Sequence, residues 1–364
     1  MPEKDKIEAR KENSEEIEVE SKKERPMLKT WSWFLIIIIV ICLGIWSYFI
    51  FIEKEATKKY VGPIEKVTFG SSTTHKIGAV FVAKDKDYFE EEGIDLEIKQ
   101  FGSGKASFLA MLKGESVDIS AVADTPIVFS SFNREDFQIL AGMYTSYDDK
   151  VIARKDKGIN SIADLQGKKV GLTKGTNAQF VLDLLLNYKG ILSSKVEVVD
   201  IKPMDLVTAL ANGDVDAISA WEPIPFEAEQ VLQDKAIKFI NDGYYRKIFY
   251  FALKKDFVKN HPETLKRFLR AIYKANTFLK EYEDESQAIV AEALNLGKEA
   301  VRRGWKEGEF TIFLDQALIV SLEDQARWAM RNKVTDATDI PNYIDFIYPD
   351  ALYSVQPEAV TIIR

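Results

Sequence analysis

Residues 101–107, FGSGKAS, place two glycines, two serines and a lysine at the mouth of a run that reads as a helix. A phosphate-binding loop needs G-x-x-x-x-G-K-[ST], the first glycine fixing the turn and the final hydroxyl reaching Mg²⁺. With Gly104 and Lys105 in the G-K slots, Lys99 stands where the first glycine belongs and Ala106 where the hydroxyl belongs. The nucleotide reading therefore fails, and what remains is a small-residue loop whose backbone N–H groups can approach an anion. ADTP (123–126) and TKGTNAQ (173–179) have the same character. Gly102, Gly104 and Gly175 allow close backbone approach. Ser103, Thr125, Thr176 and Asn177 can each cap a helix or donate to a bound oxygen, capping being the commoner use. Three such loops spread along the chain point to a shared cleft.

Other chemistry is sparse. The chain has one cysteine, Cys42, and two histidines, His75 and His261, too few for an internal disulfide or a Cys/His metal site. Cys42 lies inside an apolar run, which argues against a Cys-His nucleophile pair. A net charge of −8 argues against nucleic acid as a partner. His75 reads as a solvated loop residue, and His261, before Pro262 and Glu263, as part of a helix start.

The run from Trp31 to Ile52 carries no charge over 22 residues. At about 1.5 Å per residue, a helix of that length crosses the ~30 Å hydrocarbon core of a bilayer. Signal-peptide cleavage lacks its small-residue site, since Lys54 stands two before Ala56; a lipoprotein site fails because Ile41 precedes Cys42. The expectation is one uncleaved anchor (31–52), a disordered charged tail (1–30) and a linker (53–63). Four Lys/Arg flank the span closely on each side, so charge does not orient it.

From Ile64 onward short apolar runs alternate with amphipathic stretches, the pattern of an α/β layered fold. Residues 67–70 read as a strand, followed by the loop SSTTHK, a helix over 77–93, a strand over 95–101 and a helix over 106–113. A strand over 118–123 runs into DTP and a further helix. After 151–153 come SIADLQ as a short capped helix, a strand, a helix ending at Gly190, the strand VEVVDI, a helix, and DAISAW running into EPIPF. Past Tyr250 the chain reads as mostly helical to about Lys333. In open α/β sheets, ligands sit beyond the carboxyl ends of strands, where helix N-termini present free N–H groups.

AKDKDYFEEEGIDLEI, FGSGKASFLAMLKGESVDISAVADTP, SIADLQGKKVGLTKGTNAQ, LANGDVDAISAWEP and PEAVTII resemble, in order, the nitrate/sulfonate/taurine family of ABC-transporter substrate-binding proteins. That family includes thiamin-pyrimidine binders and thiamin-pyrimidine-synthase-like relatives. The resemblance covers roughly residues 64–364. It implies a two-lobed periplasmic-binding-protein type 2 clamshell of α/β class, here carrying an N-terminal transmembrane helix. Lobe 1 would be 64–153 plus 251–364 and lobe 2 154–250, with 151–154 and 249–253 as crossing strands. The resemblance also places the binding domain outside the cytoplasmic membrane, as a monomer that hands a small-molecule solute to an ABC permease.

Matched motif to motif, the ligand-binding candidates are Ser72, Thr73, Gly102, Ser103, Gly104, Asp124, Thr125, Thr176, Asn177, Trp221 and Glu222, with Lys105 pointing to solvent. No arginine lies in these loops, so an anionic head would be held by hydroxyls and backbone N–H groups. Trp221 suits either a stacking role or the core. If Asp124 and Glu222 face the cleft, a zwitterion or amino-heterocycle is favoured over nitrate; if they brace loops, nothing follows. No cofactor, metal or enzymatic activity is expected, because the catalytic relatives' cysteine-rich motif is missing. A sulfonate or taurine-like solute is the leading ligand class. A thiamin-precursor pyrimidine or similar heterocycle, and a sensory role for the ectodomain, stay open.

Overall fold

The computed structural model describes residues 38–41, 43–44, 60–241 and 243–363. The expected tail and most of the expected anchor and linker lie outside the described residues; 38–41 and 43–44 are helical and exposed. Among the described residues no helix is long and apolar enough to cross a membrane. The chain divides into two units, Met1–Lys59 and Tyr60–Arg364, and the description below concerns the second.

Its strands in chain order are β1 (Glu65–Ser72), β2 (Ile94–Phe101), β3 (Ile119–Ala123), β4 (Phe137–Ser146), β5 (Asp149–Arg154), β6 (Lys169–Leu172), β7 (Glu197–Asp200), β8 (Ala217–Trp221), β9 (Ala236–Ile240), β10 (Lys247–Lys254) and β11 (Gly308–Phe313). They form a six-stranded sheet, β11-β4-β10-β3-β1-β2, and a five-stranded sheet, β7-β6-β8-β5-β9. In each, parallel pairs (β1 with β2 and β3; β6 with β7 and β8) meet antiparallel ones (β10 with β3 and β4; β5 with β8 and β9). ISAVA of β3 is buried throughout, as a central strand covered on both faces must be.

Helices α1 (Gly78–Asp85), α2 (Gly104–Lys113), α3 (Asp124–Ser131), α4 (Asn177–Tyr188), α5 (Ile224–Leu232), α6 (Pro262–Glu281) and α7 (Gln316–Arg331) cover the sheets. Phe268 of α6 stacks on Phe69 and Phe89 and meets Phe251 edge-on, binding the C-terminal helices to the first sheet. Leu318, Leu322 and Ala326 of α7 belong to the same core. Val181, Leu182 and Leu185 of α4 lie in the core of the second sheet. The two sheets with their helices thus make two lobes.

Three expectations need correction. Residues 77–93 are not one helix: Asp87 takes a left-handed φ of 59°, and a short helix, Tyr88–Glu91, restarts beyond it. Beyond the break Phe89 is buried in the core and Tyr88 packs half-buried against it. Neither 151–154 nor 249–253 spans the two lobes. β5 pairs only within the second sheet and β10 only within the first, so the chain crosses at Tyr147–Asp148 and again between β9 and β10, where Tyr244–Arg246 lead into β10. Finally, β11 interrupts the C-terminal helices as an edge strand against β4.

The crossings carry a buried charge cluster. Lys76 Nζ lies 2.6 Å from Asp148 Oδ2, and Lys247 Nζ lies 2.7 Å from Asp148 Oδ1 and 2.6 Å from Asp149 Oδ2. All four side chains are at most 2% exposed. Burial would raise the Asp148 carboxyl, but Lys247 and Lys76 outweigh it and hold it well below the usual range. Burial pushes Asp149 up to about 6 despite Lys247. Removing one member of such a cluster strands the others in low dielectric, so Asp148→Asn is expected to cost about 3–5 kcal/mol in denaturant melts. Asp149 acts with the opposite sign. Between pH about 6 and about 4 the folded state holds a proton that the unfolded carboxyl has lost, so falling pH adds stability. Asp149→Asn should abolish that gain, of roughly 2–3 kcal/mol, in a series of melts from pH 7 to 4; an unchanged series would overturn the assignment.

Candidate functional site between the lobes

The loops singled out in the sequence lie at carboxyl ends of strands, as the fold type requires. In the first, Ser103 caps α2 by accepting from Ala106 N at 3.1 Å, and Gly102 is exposed. A Cβ on Gly104 would meet the Ala121 carbonyl at 3.0 Å, so side chains fit poorly there. Lys105 does not point to solvent. Its Nζ donates to the Lys174 carbonyl at 2.7 Å, joining the FGSGKAS loop to the TKGTNAQ loop of the other lobe. Burial lowers the Lys105 pKa, with Asp200 opposing. Gly175, at φ +67°, lies directly against the ammonium; a Cβ there would meet Lys105 Nζ at 2.8 Å.

A second bridge is fully buried. Asp124 opens α3 and Asn177 opens α4, in different lobes. Asp124 Oδ1 accepts from Asn177 Nδ2, from the Tyr245 hydroxyl and, at 3.0 Å, from Thr125 N. Thr125 Oγ1 donates to Gln325 Oε1 of α7 at 2.5 Å. Asp124 Oδ2 and Gln325 Nε2 are buried without a partner at hydrogen-bonding geometry. Burial raises the Asp124 carboxyl, opposed by Tyr245, Asn177 and the Gln325 amide. Thr176 takes the N-cap position of α4, but its hydroxyl donates to the Thr173 carbonyl at 2.6 Å and holds its own loop.

The remaining candidates stand apart. Ser72 is buried at the end of β1, and Thr73 is exposed, its hydroxyl donating to Gln100 Oε1 at 3.3 Å. Trp221 is half-buried against the second lobe's core. Glu222 is an ion-pair member: Lys150 Nζ lies 2.5 Å from it and 2.6 Å from Glu307. Glu222 Oε2 also accepts from Phe226 N at 3.3 Å, so this acid braces its loop. His75 is not solvated. It is buried edge-on to Tyr144, and burial, helped by Lys76, lowers its pKa to about 3, leaving it neutral.

Beside the Asp124 cluster lies an interlobe cavity of about 820 Å³ between α4, α7 and the second crossing. Tyr245 and Gln325 belong to both the cluster and the cavity wall. Phe180 and Leu184 of α4 face Trp328 and Arg331 of α7, with Arg246 from the crossing. Trp328 Nε1 donates to Asp183 Oδ2 at 3.0 Å, a further link between lobes beside the Lys150–Glu307 pair. Sequence reasoning missed these residues. Gln325 and Trp328 arrive from about 150 residues beyond α4, with no local motif to mark them.

Two lobes on separate sheets, joined by two crossings and enclosing a cavity, define the class of bilobal solute-binding proteins. The alkanesulfonate-binding protein SsuA from Xanthomonas axonopodis pv. citri, bound to MOPS, has this fold with a TM-score of 0.68 at 16% identity, covering 79% of this chain and 99% of that one. The chain belongs to the NMT1/THI5-like family, whose sequence model matches residues 74–286. It is 25% identical over 279 residues to a protein of Bacillus subtilis (strain 168) assigned as an aliphatic sulfonates-binding protein, covering 74% of this chain and 83% of that one. It is 23% identical over 229 residues to the taurine-binding periplasmic protein of Escherichia coli (strain K12), covering 62% and 69%.

Lys105 joins the jaws through a half-solvated ammonium, so its bond contributes about 1 kcal/mol or less to global stability. Lys105→Met should leave the melting transition nearly unchanged while widening the spread of interlobe distances between fluorophores on α2 and α4. An unaltered distance distribution would show that the bond does not restrain the jaws.

Proposed function

We propose that the protein is a membrane-anchored extracytoplasmic receptor of an ABC importer, capturing a small anionic or zwitterionic organic solute of the sulfonate or taurine kind between its lobes. Residues 31–52 would hold it at the membrane beside its permease, and the two lobes, divided after β4 and after β9 rather than at 153 and 250, would close by bending at those crossings. The observation that carries this reading is the meeting of Asp124 and Asn177, from opposite lobes, against Tyr245 of a crossing and beside a large cavity. A solute bound there touches both lobes and the segment about which they turn. The sulfonate- and taurine-binding relatives support the ligand class.

Asp124 favours a particular version of this reading. Its Oδ2 is buried with only the Gln325 amide near it, short of good hydrogen-bonding geometry, and its oxygens accept but do not donate while the group is ionised. A solute with an ammonium or amino group satisfies that oxygen, as taurine or an aminopyrimidine does and a plain alkanesulfonate does not. Glu222, tied to Lys150, adds nothing to this preference.

Thermal melts of the detergent-solubilised full-length protein with taurine, ethanesulfonate, nitrate, bicarbonate and aminopyrimidines test the proposal. At a hundredfold excess over Kd a true ligand stabilises by about 2.7 kcal/mol, a rise of a few degrees for a chain of this size. No rise with any of them would sink the receptor reading. Asp124→Asn should weaken an amino-bearing solute roughly tenfold and a plain sulfonate little.

A further inference from the structure

We propose that the cavity between α4 and α7 is shaped for a solute that carries an aromatic ring together with its anionic group, an aryl sulfonate or carboxylate, rather than a short aliphatic anion. This rests on the solute-receptor reading and sharpens it. The cavity, at about 820 Å³, falls in the ~300–1,000 Å³ range of sites that bury drug-sized ligands, far more than a two-carbon sulfonate fills.

Its walls are unusually rich in rings. Phe180 lies 4.8 Å from Tyr245 at 79° and 5.1 Å from Trp328 at 80°, centroid to centroid, so two rings meet a third nearly at right angles. Trp328 is held from behind by Phe129 at 6.1 Å and by its bond to Asp183. Tyr245 is held by Asp124. The rings are therefore preorganised, and a flat ligand gains edge and face contacts without ordering them first.

The charges in the cavity ask for an anion. Arg331 has no ion-pair partner among the described residues, and Arg246 reaches Asp315 only at 4.0 Å. The carboxylate that also lines the cavity, Asp324, is paired at 2.8 Å with Arg327, which it shares with Glu323. Gln325 Nε2, also in the wall, already leans toward the Asp124 carboxylate, so the guanidinium groups carry the preference for an anion. Gln325, Trp328 and Arg331 recur every three residues along α7, so one face of the helix offers an amide, a ring and a guanidinium in succession. Guanidinium groups both pair with sulfonate or carboxylate oxygens and stack on rings, which suits a ligand bearing the two features together.

Calorimetric titration of the full-length protein with 2-naphthalenesulfonate, ethanesulfonate and uncharged 2-naphthol tests this. The aryl sulfonate is expected to bind at least about tenfold more tightly than ethanesulfonate. Phe180→Ala should erase most of that margin. Arg331→Gln, at an exposed position where folding is not at stake, should weaken both sulfonates several-fold and leave 2-naphthol unchanged. Equal affinity for the two sulfonates, or indifference of both to Arg331→Gln, overturns the inference. Ethanesulfonate binding with 2-naphthalenesulfonate excluded overturns it while leaving the receptor reading intact. Failure of these compounds and of every solute in the thermal panel removes both.

Discussion

The rest of the molecule depends on four buried charges where the chain passes between lobes. Lys76, Asp148, Asp149 and Lys247 come from the loop after β1, the first crossing, the start of β5 and the start of β10. Charges so deep are stable only when each is answered, and here Lys76 and Lys247 reach the neighbouring Asp148 and Asp149 from distant parts of the chain. The cluster thereby ties the path of both crossings to the loop that ends β1. Ser146, donating to Asp148 Oδ1 at 2.6 Å, adds the end of β4 to the same arrangement. Separating any of these pairs would strand a buried charge, so the two crossings are held in a fixed relation to the end of β1.

Two kinds of bridge then span the gap. The Asp124 group is buried, specific in geometry and expensive to separate, because opening the lobes must expose or strand its polar atoms. The Lys105 contact is peripheral and half-solvated, and its rupture costs little because water replaces it. The difference in burial separates a strong inner register from a weak outer one.

Much of the fold was legible because it is written locally. The loop-helix junctions at Ser103, Asp124 and Thr176, the capping box at Ser161 and Asp164, and the stops at Gly114 and Gly190 all depend on residues a few positions apart. The order of motifs carried the family. What escaped was written at a distance. β4 and β11 are ordinary apolar runs whose strand identity comes from pairing with one another and with β10. The candidate site divided the same way. Thr125 and Asn177 were found from loop chemistry and Asp124 from the family resemblance, whereas Tyr245, Gln325 and Trp328 join them only through tertiary packing. Lys105 and His75 were misjudged because burial is a property of what lies opposite. For Lys105 that is a backbone carbonyl in the other lobe, and for His75 it is Tyr144 and the close approach of Gly304.

The acceptor of Lys105 is a main-chain carbonyl, and that has an evolutionary consequence. Any residue at position 174 supplies the same oxygen, so the outer contact survives drift in the facing loop provided Gly175 keeps its left-handed turn. Selection on solute preference can therefore rework side chains in the second jaw without first repairing the closure, and the specificity of such a receptor becomes free to wander while its mechanics are inherited unchanged.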